Sequence, residues 1–394
     1  MRILYIAGAR YPFGWAYGVR VQNFMRLFNY IGAKCFVMTD YISDEKYLID
    51  KNNAKYENSI VHVIGKSGSI IEKIIMPYLY LNNLAEFIDK NKINIVITRS
   101  LPGTFEHICK IVKDKKIPLI LESCEWYHSS NWTLGKFDPR YWSFLMAWNN
   151  YYIKADGVIA ISSLLEKHYM NYTDNVVRIP TIMDVKNTPY VSRTILQDKI
   201  QLAFAGGLGN GKDSILEVFE ALYKMGEKRN RFFLNIYGPN KKQINKQLGK
   251  KRYLLSLLSD CYKIHGKIPQ EEMKNIYINC DYGIFIRPDR QSSHAGFPTK
   301  LAEFMAAGTP VVTNNTGDIS LYLRNGENSF ITQDSLAESV SQTLLQILSL
   351  DETRRNSIRE DARRTAELYF DYRNYCEKIK CFIESTNCEK GSIL

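Results

Sequence analysis

Short, almost continuous apolar runs recur along the whole chain, with helix-period segments between them. The first half carries "RILYIAG", "KCFVMTD", "NIVITRS", "PLILES" and "GVIAIS", and the second half carries "IQLAFAGG", "FFLNIYG", "YGIFIRP" and "TPVVTN". Such runs are typical of parallel strands that helices cover on both faces. The pattern therefore predicts an α/β fold built from two successive doubly wound, Rossmann-like units.

The length of 394 residues favours two domains over one hydrophobic core. The stretch 178–199 contains two prolines and shows no clear periodicity. We therefore predict one Rossmann-like domain over residues 1–180 and a linker over 181–199. A second follows over 200–370, and a helix over 371–394 packs back on the first. A hinge in the linker would leave a cleft facing the carboxyl ends of both sheets, where ligands bind in open α/β sheets.

The net charge of +11 favours an acidic substrate or an anionic membrane surface over nucleic acid, for which no recognition fold is legible. The eight cysteines form no CxxC pair, which indicates reduced thiols. The opening "MRILYIAGAR" is too short an apolar run for a signal peptide or a membrane span. We expect a cytoplasmic protein and leave open a peripheral position at the inner face of the membrane.

The segment "FAGGLGNGKD" combines a strand, a glycine-rich turn and the start of a helix. It nearly matches a phosphate loop, but Asp213 stands where the metal-binding hydroxyl belongs, which argues against a nucleotidase. Amides at a helix start attract phosphate, and Lys212 adds a positive charge. The alternative is a tight turn with a solvated lysine.

The first domain repeats this layout in "GARYPFGWAYGVR". Gly14 and Gly18 either let the backbone approach a ligand or only shape the loop. Arg20, in the first turn of the following helix, is a weaker candidate for binding phosphate.

The segment "GFPTKLAEFMAAGTPVV" predicts a short helix that begins near Pro298 or Thr299 and ends at Gly308. Its apolar face leaves Lys300 and Glu303 turned away from the core. The alternative to a functional role is a surface pair at i, i+3, worth about 0.2–0.5 kcal/mol.

Five segments, "IPTIMD", "FAGGLGNGKD", "IHGKIPQEEMKNIYINCDYGIFIRP", "GFPTKLAEFMAAGTPVVTNNTG" and "NGENSFIT", together carry a resemblance. In their order and spacing they resemble the C-terminal half of retaining, nucleotide-sugar-dependent glycosyltransferases of the GT-B architecture. That family includes sucrose synthase and many bacterial lipopolysaccharide and capsule transferases. The resemblance covers residues 179–332, and the first half agrees only in layout.

Two positions depart from the family pattern. The family usually carries an acidic pair eight residues apart, and this chain has Glu303 but Ala295 at the first position. The arginine of the family's "G-R-L" loop is Gly207 here. We expect Lys300 to supply some of the missing positive charge.

Transfer from a nucleotide sugar leaves negative charge on the β-phosphate, which needs fixed cations or amides. The sequence has no D-x-D element for a metal, so we expect a metal-independent enzyme without a cofactor. By hypothesis, Lys212, Lys300 and the helix starts after Gly211 and Pro298 face the diphosphate. The resemblance implies that Glu303 accepts hydrogen bonds from the ribose hydroxyls and that the backbone at Lys267 and Ile268 reads the edge of uracil or guanine. The expected donor-binding residues are Gly14, Gly18, Gly206, Gly207, Lys212, Lys267, Ile268, Phe297, Pro298, Thr299, Lys300, Leu301 and Glu303.

"LESCEWYHSSNW" follows a strand, so Glu122, Glu125 and His128 are expected near its carboxyl end. The family often has an acidic or histidine residue there, over the sugar or the acceptor, which makes Glu125 and His128 catalytic candidates beside Lys212, Lys300 and Glu303. The alternative for His128 is a packed, hydrogen-bonded side chain. The resemblance also implies retention, with the leaving phosphate accepting the acceptor's proton.

The leading hypothesis is a glycosyltransferase that moves a sugar from a nucleotide diphosphate to a saccharide or lipid-linked saccharide in surface polysaccharide or glycan synthesis. Its expected partners are a nucleotide sugar and that acceptor. Ala295 and Gly207 motivate one alternative, an inactive homologue that binds sugar or a partner subunit. Another is a nucleotide-sugar epimerase on the same fold. The aromatic stretch 131–154 is either an acceptor platform, a membrane-facing surface or a core-packing helix.

Overall fold

The computed structural model describes residues 1–14, 16–65, 69–99, 103–192, 198–208 and 212–391, with backbone alone for 70–78, 80, 81 and 387–391. The chain divides into two compact units. Unit 1 comprises Met1–Ile182 and Tyr372–Leu394, and unit 2 comprises Met183–Asp371. The division falls inside the predicted linker 181–199, and the last helix belongs to unit 1.

Unit 1 is built around an eight-stranded sheet with the order β10-β9-β8-β7-β1-β3-β6-β5. β5 runs antiparallel to β6, and the other pairs of this sheet are parallel. The elements are β1 (Arg2–Ile6), β2 (Arg10–Tyr11), α1 (Ala16–Tyr30), β3 (Lys34–Thr39), β4 (Tyr41–Ile42), β5 (Asn53–Tyr56), β6 (Ser59–Val63), α2 (Ile70–Asn91), β7 (Ile95–Arg99), α3 (Phe105–Asp114), β8 (Leu119–Ser123), α4 (Pro139–Asn150), β9 (Gly157–Ala160), α5 (Ser163–Tyr169) and β10 (Val176–Arg178).

Unit 2 has a six-stranded parallel sheet with the order β13-β12-β11-β14-β15-β16. Its elements are β11 (Ile200–Ala205), α6 (Leu216–Lys224), β12 (Phe232–Tyr237), α7 (Lys241–Leu248), α8 (Leu254–Leu257), β13 (Tyr262–Gly266), α9 (Met273–Ile278), β14 (Tyr282–Ile284), α10 (Gln291–Ala295), α11 (Thr299–Ala306), β15 (Val311–Asn314), β16 (Phe330–Thr332), α12 (Ala337–Leu348) and α13 (Glu352–Tyr369). The final helix, α14 (Cys376–Gly391), returns to unit 1.

Each sheet has one point where the order of strands reverses. In unit 1 the chain builds outward from β1 through β3 on one side and through β7 on the other. In unit 2 it builds outward from β11 through β12 and through β14. The loops that follow such strands diverge to opposite faces and leave a crevice at the carboxyl ends, which is where open α/β sheets bind ligands. The doubly wound fold predicted for each half is confirmed, and all nine predicted apolar runs form strands.

Two buried arginines of α13 fix the start of unit 2. Arg359 donates to the carbonyl oxygens of Cys280 and Asp281 at 3.0 and 3.2 Å. Arg363 donates to the carbonyl oxygens of Val185 and Thr188 at 2.9 and 3.0 Å. From Met183 onward, the described part of the predicted linker therefore packs as part of unit 2.

The C-terminal helix completes the core of unit 1. Ile379, Phe382 and Ile383 are buried in the same apolar cluster as strands β1, β3 and β7. Thr386 accepts a hydrogen bond from the Asn175 side-chain amide at 2.6 Å. Among the described residues, no helix is both long and apolar enough to cross a membrane.

Candidate active site

Helix α11 places the predicted lysine and glutamate at the carboxyl edge of the unit 2 sheet. It begins at Thr299, as the sequence predicts, and ends at Ala306, two residues before the predicted Gly308, which has a φ of +72°. Pro298 precedes it in an extended conformation, and no side chain caps its first turn. The first amides of α11 are therefore left without a side-chain acceptor.

Lys300 lies at the reversal point of the unit 2 sheet. Its Nζ is 5.1 Å from the ring centroid of Phe204, at the end of β11, and 5.5 Å from that of Phe285, just after β14. A Cβ on Gly206 would lie 2.9 Å from the same nitrogen, and Gly206 has a φ of +118°. Glycine at this position therefore leaves room for the ammonium group beside the backbone of the turn, in which Gly206 and Gly207 are both exposed.

Asp213 holds the ammonium group of Lys300. Lys300 Nζ donates to Asp213 Oδ2 at 2.6 Å, and the two side chains are 13% and 8% exposed. The sequence predicts Lys300 as a diphosphate ligand, but it does not predict that Asp213 pairs with it. In the described structure the lysine charge is compensated, so a diphosphate must compete with Asp213 for it.

The turn after β11 differs from the expectation of a helix starting directly after Gly211. Gly211 lies outside the described residues, and α6 begins only at Leu216. The intervening Ser214 N–H donates to the Ile286 carbonyl at 2.8 Å. The Ile215 N–H donates to Gln247 Oε1 at 2.8 Å, and Gln247 Nε2 donates to the Asp213 carbonyl oxygen at 2.9 Å. These contacts fix the segment against the residue Ile286 and against α7, and Lys212 is exposed at its start.

Glu303 is buried and accepts two hydrogen bonds from neutral groups. Tyr277 Oη donates to Oε2 at 2.9 Å, and Gln270 Nε2 donates to Oε1 at 3.2 Å. Burial raises the pKa of Glu303, while Tyr277 and the positive charge of Lys300 oppose the increase. Each carboxylate oxygen has a second lone pair, so the group can also accept from a ligand hydroxyl.

The loop after β13 lies close to Glu303. Lys267 is exposed and Ile268 half-buried, and the same loop continues to Gln270, which binds Glu303. The structure therefore brings the predicted base-reading segment and the predicted ribose-binding carboxylate together. Phe297 and Leu301 are buried, and Phe297 packs against Tyr322 at 5.4 Å between ring centroids. Their side chains belong to the core of unit 2.

Position 295, which lacks the family's first carboxylate, ends α10 and is fully buried. Its neighbour His294 is part of a chain of hydrogen bonds. The Gly317 N–H donates to His294 Nδ1 at 3.0 Å, which assigns the ring proton to Nε2. That nitrogen lies 2.5 Å from Asp289 Oδ1. The structure therefore places the imidazole of His294 and the carboxylate of Asp289 close to Ala295, where the family's first carboxylate is missing.

Unit 1 carries a buried cluster around Glu122 at the carboxyl end of β8. Tyr5, Tyr17 and Cys124 donate to its carboxylate, and Arg20 forms a salt bridge with it. Burial alone would raise the pKa of Glu122, but the charge of Arg20 and the tyrosine hydroxyls lower it below the ordinary value. The carboxylate of Glu122 thus has protein donors for both of its oxygens, and we interpret the cluster as structural.

Arg20 is fully occupied by protein groups. Besides Glu122, its guanidinium donates to the carbonyl oxygens of Pro180 and Ile179 at 2.7 and 3.2 Å. Arg20 is therefore not available as a phosphate ligand. Its role is to tie the start of α1 to the segment that leaves unit 1.

Sequence reasoning missed Arg99, at the end of β7 and at the reversal point of the unit 1 sheet. Its guanidinium carbon lies 4.3 Å from the ring centroid of Tyr17. No described residue accepts a hydrogen bond from this guanidinium. Burial lowers its pKa, but nearby acidic groups, among them Glu125, outweigh burial and raise it. A basic residue directly after "NIVIT" was the available signal.

The remaining predicted residues of unit 1 have local structural partners. A Cβ on Gly18 would lie 2.4 Å from the Arg10 carbonyl oxygen, so this glycine lets α1 pack on its own loop. Gly14 has a φ of +102°. His128 is exposed, and its Nδ1 caps a short 3-10 helix by accepting from the Ser130 N–H at 3.3 Å. Glu125 is half-buried in the same loop.

The side chains of the described residues do not gather into a metal centre. No group of three or more His, Cys, Asp or Glu side chains is placed there to hold a metal ion. The predicted diphosphate ligands in the described part of unit 2 are lysines and amides.

Comparison with known proteins gives a family match and a fold match. Residues 192–365 match the model of the family "Glycosyl transferases group 1". The amylovoran biosynthesis glycosyltransferase AmsK of Erwinia amylovora is 30% identical over 93 residues, which cover 23% of this chain and 22% of that protein. The chain thus matches less than a quarter of this relative's length.

Two solved structures show the same fold over nearly the whole chain. Sucrose-phosphate synthase from Thermosynechococcus elongatus superposes with a TM-score of 0.76 at 13% identity, covering 98% of this chain and 99% of that one. Anabaena Alr3699/HepE, solved with UDP and glucose, superposes with a TM-score of 0.71 at 14% identity, covering 98% and 100%. Both confirm the two-domain α/β architecture.

Proposed function

We propose that this chain belongs to the glycosyl transferases group 1, whose model residues 192–365 match, and that it transfers a hexose from a nucleoside diphosphate sugar with retention. The acceptor is a saccharide or a lipid-linked saccharide, and the product enters a surface polysaccharide or glycan. Unit 2 binds the donor and unit 1 binds the acceptor. We propose a cytoplasmic protein that works at a peripheral position on the inner face of the membrane.

The observation that carries the proposal is the position of Lys300. Its ammonium lies at the reversal point of the unit 2 sheet, beside Gly206 and above Phe204. The uncapped first turn of α11 is at the same place. A cation and free amides at the carboxyl end of a parallel sheet form a site suited to a diphosphate.

In the reaction, the bond between the sugar C1 and the β-phosphate oxygen breaks. A bond from C1 to the acceptor hydroxyl oxygen forms on the same face, and the acceptor's proton moves to the departing phosphate. Lys300, Lys212 and the α11 amides stabilise the negative charge that grows on that phosphate. We propose that no metal or other cofactor takes part.

We propose UDP as the leaving nucleotide. Anabaena Alr3699/HepE has been solved in complex with UDP and glucose and in complex with UDP-glucose, which favours a UDP-sugar here. In this chain the backbone at Lys267 and Ile268 reads the base. Glu303 accepts hydrogen bonds from the ribose hydroxyls, a role that fits its two neutral donors and buried position.

The proposed acceptor follows from the relative AmsK, whose name assigns it to amylovoran biosynthesis. Glu125, His128 and Arg99 lie in unit 1 at or after the ends of neighbouring strands. Their polar groups are the ones we assign to the acceptor.

The test incubates the purified protein with a panel of UDP- and GDP-sugars and measures released nucleoside diphosphate with and without extracted lipid-linked saccharides. Acceptor-dependent release from a UDP-sugar supports the proposal, and the anomeric configuration of the product, read by NMR, tests retention. Tight binding without turnover of any donor supports the inactive homologue that Ala295 and Gly207 motivate. Epimerised donor without acceptor supports an epimerase.

The metal-independent mechanism has its own test. Turnover should persist after treatment with EDTA and should not increase when Mg²⁺ or Mn²⁺ is added back. Loss of activity that a divalent ion restores would contradict the mechanism.

Lys300→Ala tests the placement of the site. Removing one charge-stabilising group of this kind lowers the rate by ~10²–10³. The matched control is Lys224→Ala, an exposed lysine of unit 2 that pairs with Glu338 and should leave turnover unchanged. Equal turnover in both variants would place the diphosphate elsewhere.

A further inference from the structure

An apolar surface in unit 1 faces solvent on and beside helix α4. Phe137 is 88% exposed, Leu134 61%, Trp142 60% and Met146 57%. Trp142 and Met146 are four residues apart on α4, so they share one face of the helix. Trp142 Nε1 donates to the Lys136 carbonyl at 2.7 Å, which joins that face to the 3-10 helix Gly135–Phe137. We call these four residues the α4 surface.

The opposite face of α4 is already used for packing. Phe144, Ala147 and Trp148 are buried, and Trp148 stacks on His168 of α5 at 4.6 Å between ring centroids. The exposed aromatic and aliphatic groups are therefore not the core face of the helix. Contiguous large apolar groups in water mark an interaction surface.

The exposed charges of the segment that contains the α4 surface have one sign, and the exposed Glu106 contacts this segment at Tyr151, after the end of α4. Between residues 126 and 154 the only acidic residue is Asp138, which is 2% exposed, caps α4 and pairs with Arg140. Lys136 and Lys154 are exposed and basic. The segment thus presents aromatic and aliphatic side chains together with positive charge and without exposed carboxylates.

We propose that the α4 surface inserts into the headgroup region of an anionic lipid bilayer. Trp and Phe occupy the boundary between headgroups and acyl chains, and Lys and Arg bind the negative surface while their stems lie along apolar groups. The surface thereby anchors unit 1 to the membrane. This inference deepens the proposed function, because it places the acceptor-binding unit where a lipid-linked saccharide resides.

The test measures co-sedimentation of the full chain with vesicles of phosphatidylcholine containing phosphatidylglycerol, in the absence of donor and acceptor. We expect binding at low salt that weakens as salt is raised, and weaker binding to phosphatidylcholine alone. The assay needs no turnover. The membrane inference can therefore be refuted while the proposed transferase activity is supported, and the transferase activity can be refuted while membrane binding is supported.

The decisive variant is Phe137→Ser with Trp142→Ser. Its control is Tyr253→Ser with Leu257→Ser, which removes two side chains of unit 2 that are 54% and 48% exposed. We expect the first variant to lose at least tenfold in vesicle binding and the control to bind like the original protein. UDP binding and circular dichroism should be unchanged in both, which separates loss of the surface from loss of the fold.

The contribution of charge is tested with Lys136→Gln, which should weaken binding to anionic vesicles about fivefold, since a basic residue near such a surface contributes about 1 kcal/mol. A blue shift of tryptophan emission on adding vesicles, absent in Trp142→Phe, would place the indole in the lipid.

Three outcomes overturn the inference. The original protein could stay in solution with anionic vesicles. The Phe137/Trp142 variant could bind as well as the original. Sedimentation could show a dimer that only this variant dissociates, which would make a second copy of the chain the partner of the surface.

Discussion

Asp213 and Lys300 are ordered as a buried ion pair in the described structure, and this pairing sets the electrostatics of the donor site. The pair is nearly neutral as a unit, whereas a diphosphate brings negative charge to the same place. Binding must therefore either displace the carboxylate from the ammonium or share the lysine between two anions. In both cases Asp213 opposes the binding of the ligand.

Asp213→Asn should therefore tighten UDP binding by about three- to tenfold, because the amide keeps the shape of the side chain without competing as an anion. An electrostatic gain on the order of 1 kcal/mol corresponds to this range. Isothermal titration with UDP gives the dissociation constant. Glu338→Gln, which neutralises an exposed acid of the same unit, should leave it unchanged, and weaker binding by Asp213→Asn would show that the aspartate positions Lys300 for the ligand.

Glu303 should make UDP binding sensitive to acid. Burial raises its pKa, so Glu303 becomes protonated at a higher pH than an ordinary glutamate does. The proposed hydrogen bonds from the ribose need the ionised form as acceptor. The dissociation constant for UDP should rise as the pH falls through this raised pKa.

Glu303→Gln should bind UDP more weakly at neutral pH and lose that pH-dependent component. An unchanged pH profile in this variant would remove Glu303 from the binding step. The same raised pKa means that the ionised carboxylate costs stability, so its contribution to folding becomes more favourable as the pH falls through the folded-state pKa.

At this scale the sequence located residues but not their partners. The proline, glycine and apolar spacing of α11 placed Lys300 and Glu303 on this helix, but the prediction that both turn away from the core was wrong, since Glu303 is buried and the Lys300 side chain is only 13% exposed. The partner of Lys300 is 87 residues away along the chain, and helical periodicity carries no information about such contacts. The hydrogen bonds from Arg20 to the carbonyl oxygens of Ile179 and Pro180 could not be predicted for the same reason.

Among the elements, α13 shows how a strongly charged helix can hold a core together. Its sequence "ETRRNSIREDARRTAELY" reads as solvated, yet Arg359 and Arg363 are buried at i and i+4. Their guanidinium groups satisfy backbone carbonyls that would otherwise be buried without donors. The arginines thus take the place of further apolar packing between α13 and the start of unit 2.

Arg363→Ala should lower the free energy of unfolding of unit 2 by about 2–4 kcal/mol, because it leaves several buried carbonyls without a donor. The adjacent Arg364→Ala is the matched control, since its side chain is 67% exposed and pairs with Asp361 within the helix. That control should change the free energy by less than about 0.5 kcal/mol. Urea unfolding followed by circular dichroism measures both, and equal effects would refute the role assigned to Arg363.

Three of the seven described strands that sequence reading missed show why a strand escapes this kind of prediction. β10 and β16 have three residues each, and β13 is an edge strand whose residues are half-buried or exposed. Strands of this kind lack the long apolar run that marks a strand covered on both faces. The central strands have that run, which is why the doubly wound order could be predicted.

For the whole molecule, unit 1 is assembled from two separate parts of the chain. Gly157 begins β9, and a Cβ there would lie 2.9 Å from the Phe382 ring of α14. Phe382 is buried with Ile379 and Ile383 against the core of unit 1. The last helix is therefore a structural part of unit 1.

Phe382→Ala should destabilise unit 1 by about 3–5 kcal/mol through the loss of buried area and the cavity left behind. All five tryptophans lie in the segment Met1–Ile182, so tryptophan emission during urea unfolding reports on unit 1. The exposed Lys380→Ala is the control and should unfold like the original protein. A transition in Phe382→Ala that coincides with the control would show that α14 adds nothing to unit 1.

The split composition of unit 1 has a consequence for biosynthesis. Domains usually fold one by one as the chain leaves the ribosome, starting from the amino end. Here residues 183–371 are all translated before the helix that closes the unit begun by residue 1. Residues 1–182 therefore stay incompletely folded, with part of their apolar core exposed, until α14 has been translated, whereas unit 2 can fold before that. We expect nascent chains to need protection from aggregation during this interval.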